Sequence, residues 1–260
     1  MTLSGTPSRM TPMMDFKHYR PASDLLRERV ILVTGAGQGI GRVAALAFAA
    51  HGATVILHGR DVGKLESVYD QIEAAGGPQP TILPLDLATA RDRDFENMAL
   101  AIESQLKRLD GILHNASQLA DPAPLDNQRL EEWLLLLRVN LAAPFALTRA
   151  CSYLLRTASD ASVIFTSETH ALEPAAYWGG FAVAKSGLTA LVKIQAQEWE
   201  GRSNLRANLL VPGPVDSPQR QHTHPGESPS SRPRPETLMP MYLYLIGPDS
   251  RGVSGQAFYC

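Results

Sequence analysis

The chain has 260 residues, 24 basic side chains against 26 acidic ones, a formal net charge of −2 and 44% hydrophobic residues. That balance lacks the basic footprint of a nucleic-acid-binding protein, and the length is ample for a sizeable core. No apolar run approaches the ~20 residues that span a bilayer, and residues 1–15 lack the apolar stretch of a secretory signal, so a cytoplasmic protein is expected.

Residues 1–17 are polar, with two prolines and four methionines, and read as a disordered tail in which Met13 or Met14 is an alternative start. The first patterned stretch is Val30-Ile31-Leu32-Val33-Thr34-Gly35-Ala36-Gly37-Gln38-Gly39-Ile40-Gly41. Its apolar run reads as a strand buried on both faces. Residues 39–51, with Val43, Leu46, Ala47 and Ala50, have helical spacing. The glycines therefore sit between a strand and a helix N-terminus. Backbone N–H groups and the helix dipole make an anion site there, and glycine lets a pyrophosphate approach closely. The literal G-x-G-x-x-G is not met: Gly35, Gly39 and Gly41 fall as G-x-x-x-G-x-G. Taken alone, the stretch also fits a plain tight turn.

With Thr34 in front, this spacing resembles the short-chain dehydrogenase/reductase family. His18-Tyr19-Arg20-Pro21, Asp24-Leu25-Leu26 and Met239-Pro240-Met241-Tyr242 resemble its YciK-like branch, and the likeness runs from about Leu25 to Phe258. The resemblance implies that Gly35, Gln38, Gly39, Ile40 and Gly41 bind a dinucleotide. The length allows one large domain or two small ones. The alternation of strands and helices predicts one α/β domain over 18–260: a doubly wound Rossmann fold, its seven-stranded parallel sheet ordered 3-2-1-4-5-6-7, with helices on both faces.

A second strand, 53–58, ends at Gly59-Arg60-Asp61. In dinucleotide folds an acidic side chain at this point binds the ribose 2′-hydroxyl. Here glycine and Arg60 take its place, and arginine grips a 2′-phosphate, which favours NADP(H) over NAD(H). The alternative is that Arg60 only closes the turn. Asp61 is expected to cap a helix over 61–75, stopped by Gly76-Gly77-Pro78. A third strand, 81–85, leads to Asp86-Leu87, which the resemblance places beside an adenine ring. A third helix, 91–108, precedes a fourth strand that delivers His114-Asn115-Ala116-Ser117. The family carries Asn-Asn-Ala-Gly there. Asn115 and Ala116 match, Asn115 being expected to tie the sheet with its side chain, while Ser117 adds two heavy atoms where the nicotinamide half passes.

A helix over 130–154 contains Asn140, which a helix interior disfavours. The matching family asparagine bends the helix and holds a water in the proton relay. A fifth strand, 161–166, brings Ser167-Glu168-Thr169-His170 to the sheet edge that carries sites. Next comes Tyr177-Trp178-Gly179-Gly180-Phe181-Ala182-Val183-Ala184-Lys185. The family carries Tyr-x-x-x-Lys there, the tyrosine moving the substrate proton and the lysine binding the nicotinamide ribose. Lys185 matches the lysine, and Phe181 stands at the tyrosine position. Pairing Lys185 with Tyr177 instead would separate the two by roughly 12 Å along the axis. Counting back from Phe181 to the family's serine reaches Glu168, beside Ser167. Phenylalanine cannot carry a proton, so Glu168 and His170 stand as candidate substitutes or as plain loop residues.

The helix continuing to residue 200 is the family's subunit-packing helix, which implies a homodimer or homotetramer. A sixth strand, 205–211, ends in Pro212-Gly213-Pro214-Val215-Asp216-Ser217, matching the family's Pro-Gly-x-Val-x-Thr, so Pro212, Gly213 and Val215 join the cofactor set. The polar stretch around 216–236 reads as a mobile lid, followed by a short helix, 239–246, and a last strand, 253–259. The two cysteines, Cys151 and Cys260, offer neither a disulfide framework nor metal spacing, and no metal is expected. Three readings stay open: an NADP(H)-dependent oxidoreductase of a small carbonyl or alcohol with an altered proton relay, a catalytically dead cofactor-binding sensor, or a partner subunit.

Overall fold

The computed structural model describes Phe16 and residues 18–260. The expected tail, Phe16 apart, and the alternative starts lie outside the described residues. Strands β1 (Val30–Thr34), β2 (Thr54–Gly59), β3 (Thr81–Pro84), β4 (Gly111–His114), β5 (Ala161–Thr166), β6 (Leu205–Val211) and β7 (Ala257–Tyr259) form one sheet. Their order is β3-β2-β1-β4-β5-β6-β7, every pairing parallel. This is the doubly wound arrangement expected from the alternating pattern. The central strands are buried along their whole length, and alternate residues serve opposite faces. On one face Ile31, Val33, Val55 and Leu57 pack with helices α1 (Gly39–Ala50), α2 (Val62–Ala74) and α9 (Met239–Ile246). On the other, Leu32, Ile56, Val163 and Phe165 pack with α3 (Asp92–Leu106), α5 (Ala143–Ala150) and α7 (Gly179–Glu198).

Local chemistry sets the boundaries. Asp61 caps α2, its carboxylate accepting from the Lys64 N–H at 3.2 Å. The single helix expected over 130–154 is instead broken: α4 (Leu130–Leu137), a π-turn at Arg138–Ala142, α5, then α6 (Ser152–Thr157) after a break at Cys151. Two features explain the wide turn. Asn140 donates its side-chain amide to the Leu136 carbonyl at 2.9 Å, competing with the backbone ladder. Pro144 has no N–H to offer the carbonyl four residues back. Cys151 is fully buried, and that burial pushes its thiol up to about 12.

The last strand is shorter than expected. Val253 is held by the Asn208 side chain, 2.7 Å from its carbonyl, and ladder pairing begins only at Ala257. Residues 216–236 carry helix α8 (Pro218–Thr223) and short turns at Pro229–Ser231 and Pro235–Leu238, with an Arg220–Glu227 ion pair of 2.6 Å. At the edge of the sheet opposite the site, Asp160 receives Arg29 at 2.6 Å, Arg206 at 2.5 Å and Arg251 at 3.2 Å. Burial acts to raise its carboxyl, but the guanidiniums of Arg206 and Arg29 outweigh that and hold it at about 2.

Candidate active site

The carboxyl ends of the strands open into a cleft of about 620 Å³. The β1–α1 turn forms one wall. Gly35 has φ +69°, and a Cβ there would sit 2.9 Å from the Ala116 Cα. A Cβ on Gly41 would run into the Gly35 carbonyl. Only glycine fits both places, so the turn lies flat against the β4 loop. Thr34 locks the two together: its Oγ1 accepts from the N–H groups of Asn115 (2.9 Å) and Ala116 (3.0 Å). The N-cap residue of α1, Gln38, makes no side-chain capping hydrogen bond among the described residues, which leaves the first N–H groups of the helix for an anion.

At the end of β2, Arg60 is exposed and takes part in no ion pair among the described residues. Lys64 points to the same region, its ammonium 2.8 Å from Gln38 Oε1 and 3.7 Å from Asp61. Sequence reasoning missed Lys64. The available signal was its place one helical turn beyond Arg60. Asp86 and Leu87 border the cleft next to this corner, where Asp86 accepts from the Ala88 N–H at 3.0 Å.

Two buried histidines that sequence reasoning gave no role lie at the cleft, His58 among its lining residues and His114 outside them. Neither ring nitrogen of His58 has a hydrogen-bond partner among the described residues, and burial pushes its imidazole down to about 4. His114 is held lower, to about 3, by burial and then by the charges of His58 and Lys185. It meets Thr148 Oγ1 at 2.8 Å and stacks on Phe165 at 4.8 Å.

At the other end, β5 and α7 bring Ser167, Glu168, Phe181 and Lys185 together. Phe181 is 2% exposed, and its ring centroid lies 5.8 Å from the Lys185 ammonium. Lys185 donates to the Thr166 carbonyl at 2.9 Å. Burial lowers it to about 8, against a smaller upward pull from Glu168. Trp178 and His224, also without an expected role, line this end too.

Of the expected site residues, Gly35, Gln38, Gly39, Ile40, Arg60, Asp86, Leu87, Asn115, Ala116, Ser117, Ser167, Glu168, Phe181, Lys185, Pro212, Gly213 and Val215 border the cleft. Gly41 lies behind the turn, and Asn140 is fully buried behind Ser117 and Gln118. Asn140 accepts there from the Ser117 hydroxyl at 3.0 Å and the Gln118 N–H at 3.1 Å. The sheet-tying role expected of Asn115 falls to its backbone N–H: its side chain makes no hydrogen bond among the described residues. The cradle that only glycine fits, the uncapped helix and the unpaired arginine suit a phosphorylated dinucleotide.

A glycine cradle at the switch point of a doubly wound sheet, facing a lysine on a long helix, defines a nicotinamide-dinucleotide oxidoreductase fold. The chain belongs to the short chain dehydrogenase family, whose model matches residues 29–228. It is similar to the uncharacterized oxidoreductase YciK of Escherichia coli (strain K12), 40% identical over 241 residues, covering 93% of this chain and 95% of that one. Among solved structures, one described as a short chain dehydrogenase from Pseudomonas syringae superposes with a TM-score of 0.91 at 44% identity, covering 93% of this chain and 98% of that one. Another, from Escherichia coli CFT073 and complexed with NADPH, gives 0.89 at 39% identity, covering 92% and 99%.

Proposed function

We propose that this protein is an NADP(H)-dependent oxidoreductase acting on a small carbonyl or alcohol, with the family's tyrosine and serine replaced by Phe181 and Glu168. The observation that carries the cofactor is Arg60, exposed and unpaired where a carboxylate would select a 2′-hydroxyl. The NADPH-bound relative from strain CFT073 supports the same choice. When bound, the cofactor supplies or accepts the hydride. This chain's residues do the rest: the glycine turn and α1 hold the pyrophosphate, Arg60 and Lys64 the 2′-phosphate, Lys185 the nicotinamide ribose.

One observation favours a second reading, that of a cofactor-binding sensor without turnover. Phe181 buries an apolar ring where the family places a hydroxyl, and general acid–base help is worth about 10²–10⁴-fold. Exposed Leu130, Leu134, Phe145, Val183 and Ile194 on α4, α5 and α7 offer a surface for a second copy, as a homodimer or homotetramer. Residues 216–236 serve as a lid, since Arg220, Thr223 and His224 line the cleft. The test is a fluorescence titration with NADPH and NADH, followed by a carbonyl screen on the same sample. Tight NADPH binding with turnover supports the first reading, and binding without turnover the second. Absence of binding removes both.

A further inference from the structure

Phe181 and Glu168 remove the family's pair of hydroxyls, yet the same end of the cleft holds another unit able to carry a proton. Glu168 Oε2 lies 3.0 Å from His170 Nδ1. The side chains of both are largely buried, 18% and 22% exposed, and both border the cleft beside Lys185. The His170 ring stacks on Trp178, centroids 4.1 Å apart and planes 16° from parallel. Trp178 in turn leans on Phe181 at 6.0 Å. Glu168 Oε1 is buried with no hydrogen-bond partner, so His170 is the carboxylate's one side-chain hydrogen-bond partner among the described residues. The second ring nitrogen of His170, Nε2, makes no hydrogen bond among the described residues.

We propose that His170 is the proton donor and acceptor of this site and that Glu168 is its positioning residue, together taking over the work of the missing tyrosine. The inference rests on the oxidoreductase reading above. A carboxylate on Nδ1 fixes the tautomer, with Nδ1–H donating to Glu168 and Nε2 left for the substrate oxygen. In reduction, the carbonyl carbon takes a hydride, with its two electrons, from the reduced nicotinamide cofactor, and the C=O π bond breaks. The oxygen takes the proton from Nε2–H of the imidazolium. An alcohol and a neutral imidazole result, and the imidazole regains its proton from solvent. In oxidation Nε2 accepts the hydroxyl proton. The Glu168 carboxylate and the face of Trp178 hold the ring in place. Phe181 makes part of the apolar wall and moves no proton.

The experiment uses the full chain, with unmodified, His170→Asn and Glu168→Gln proteins. All three should still bind NADPH, read by fluorescence titration. On a panel of small aldehydes and ketones, His170→Asn should lower kcat by about 10²–10⁴-fold with KM little changed. Glu168→Gln should lower it by at least about 10-fold. Free imidazole should restore part of the rate of His170→Ala, and adding Phe181→Tyr to His170→Asn should restore turnover, which no folding defect would allow. Independently of activity, ¹⁵N spectra of the cofactor-free protein should show His170 protonated and hydrogen-bonded at Nδ1, a signature lost in Glu168→Gln. NADPH binding without turnover of any carbonyl by the unmodified protein overturns the proposal and leaves the binding reading standing. So does an unchanged kcat in His170→Asn, or an unprotonated Nδ1. Failure to bind NADPH sinks the oxidoreductase reading, and this inference with it.

Discussion

Replacing Arg60 by alanine should weaken NADPH binding by about 10- to 50-fold and leave NADH binding nearly unchanged. A hydrogen bond to a charged group contributes ~1.5–3 kcal/mol, and each ~1.4 kcal/mol is tenfold in affinity. Arg60 is exposed, so solvent screening keeps its contribution in the lower half of that range. It is also unpaired among the described residues, so no existing ion pair has to break first. Lys64 is different. Its ammonium is already shared between Gln38 at 2.8 Å and Asp61 at 3.7 Å. Lys64→Ala should therefore cost less, about 3- to 10-fold, or roughly 1 kcal/mol. The measurement is a fluorescence titration of both reduced cofactors at low and moderate salt. The Arg60 effect on NADPH should shrink as salt rises. Equal losses for the two cofactors, or equal affinities in the unmodified protein, would refute the reasoning.

In a His170→Asn background, Phe181→Tyr should raise carbonyl turnover, and adding Glu168→Ser there should raise it further, because the Glu168 charge raises a nearby tyrosine's pKa. A triple variant no faster than His170→Asn with Phe181→Tyr would contradict this. His58 is buried neutral with its imidazole near 4 against an ordinary 6.5. The folded state therefore resists protonation, and stability is present above pH 6.5 and lost as pH falls toward 4. The full loss is ~3 kcal/mol at ~1.4 kcal/mol per pH unit. His58→Leu should remove that acid sensitivity, read by urea unfolding at pH 7 and 5, and a slope the same as in the parent would count against it. Asp160→Ala should destabilise by about 3–5 kcal/mol, since Arg29 and Arg206 would stay buried without their carboxylate. Thermal melts would show it, and a loss under 1 kcal/mol would mean that water replaces the carboxylate.

The sheet was legible because its signals are local and redundant. The run Val30-Ile31-Leu32-Val33 is a continuous apolar stretch, and β1, β5 and β6 are buried from end to end. The cofactor half of the cleft was legible for the same reason, since Gly35 and Gly41 stand where backbone crowding excludes any side chain. The break at Asn140 was half legible. An asparagine inside an apolar helix announces a departure, but the π-turn also depends on Pro144, whose effect adds to that of Asn140 only once the chain is folded. Lys64, Trp178 and His224 escaped notice because each reaches the cleft from an element whose pattern reads as ordinary surface or loop.

Phe181 does not leave the substrate end of this cleft without polar groups. A site decaying without function would be expected to fill with apolar side chains, or to expose its polar ones to water, because a buried carboxylate is costly unless paired. Here the cleft that holds Phe181 also holds a carboxylate at 168 whose Oε1 is buried, and a histidine bonded to its other oxygen and stacked on the Trp178 indole. Lys185 meanwhile keeps its place, tied to the Thr166 carbonyl and close enough to Glu168 for the two charges to act on each other. The result is one carboxylate, one ammonium and one imidazole around an apolar ring. The chemistry of the cleft therefore turns on whether the Glu168–His170 pair faces a carbonyl oxygen, and comparing His170→Asn with its Phe181→Tyr double variant answers that in one assay.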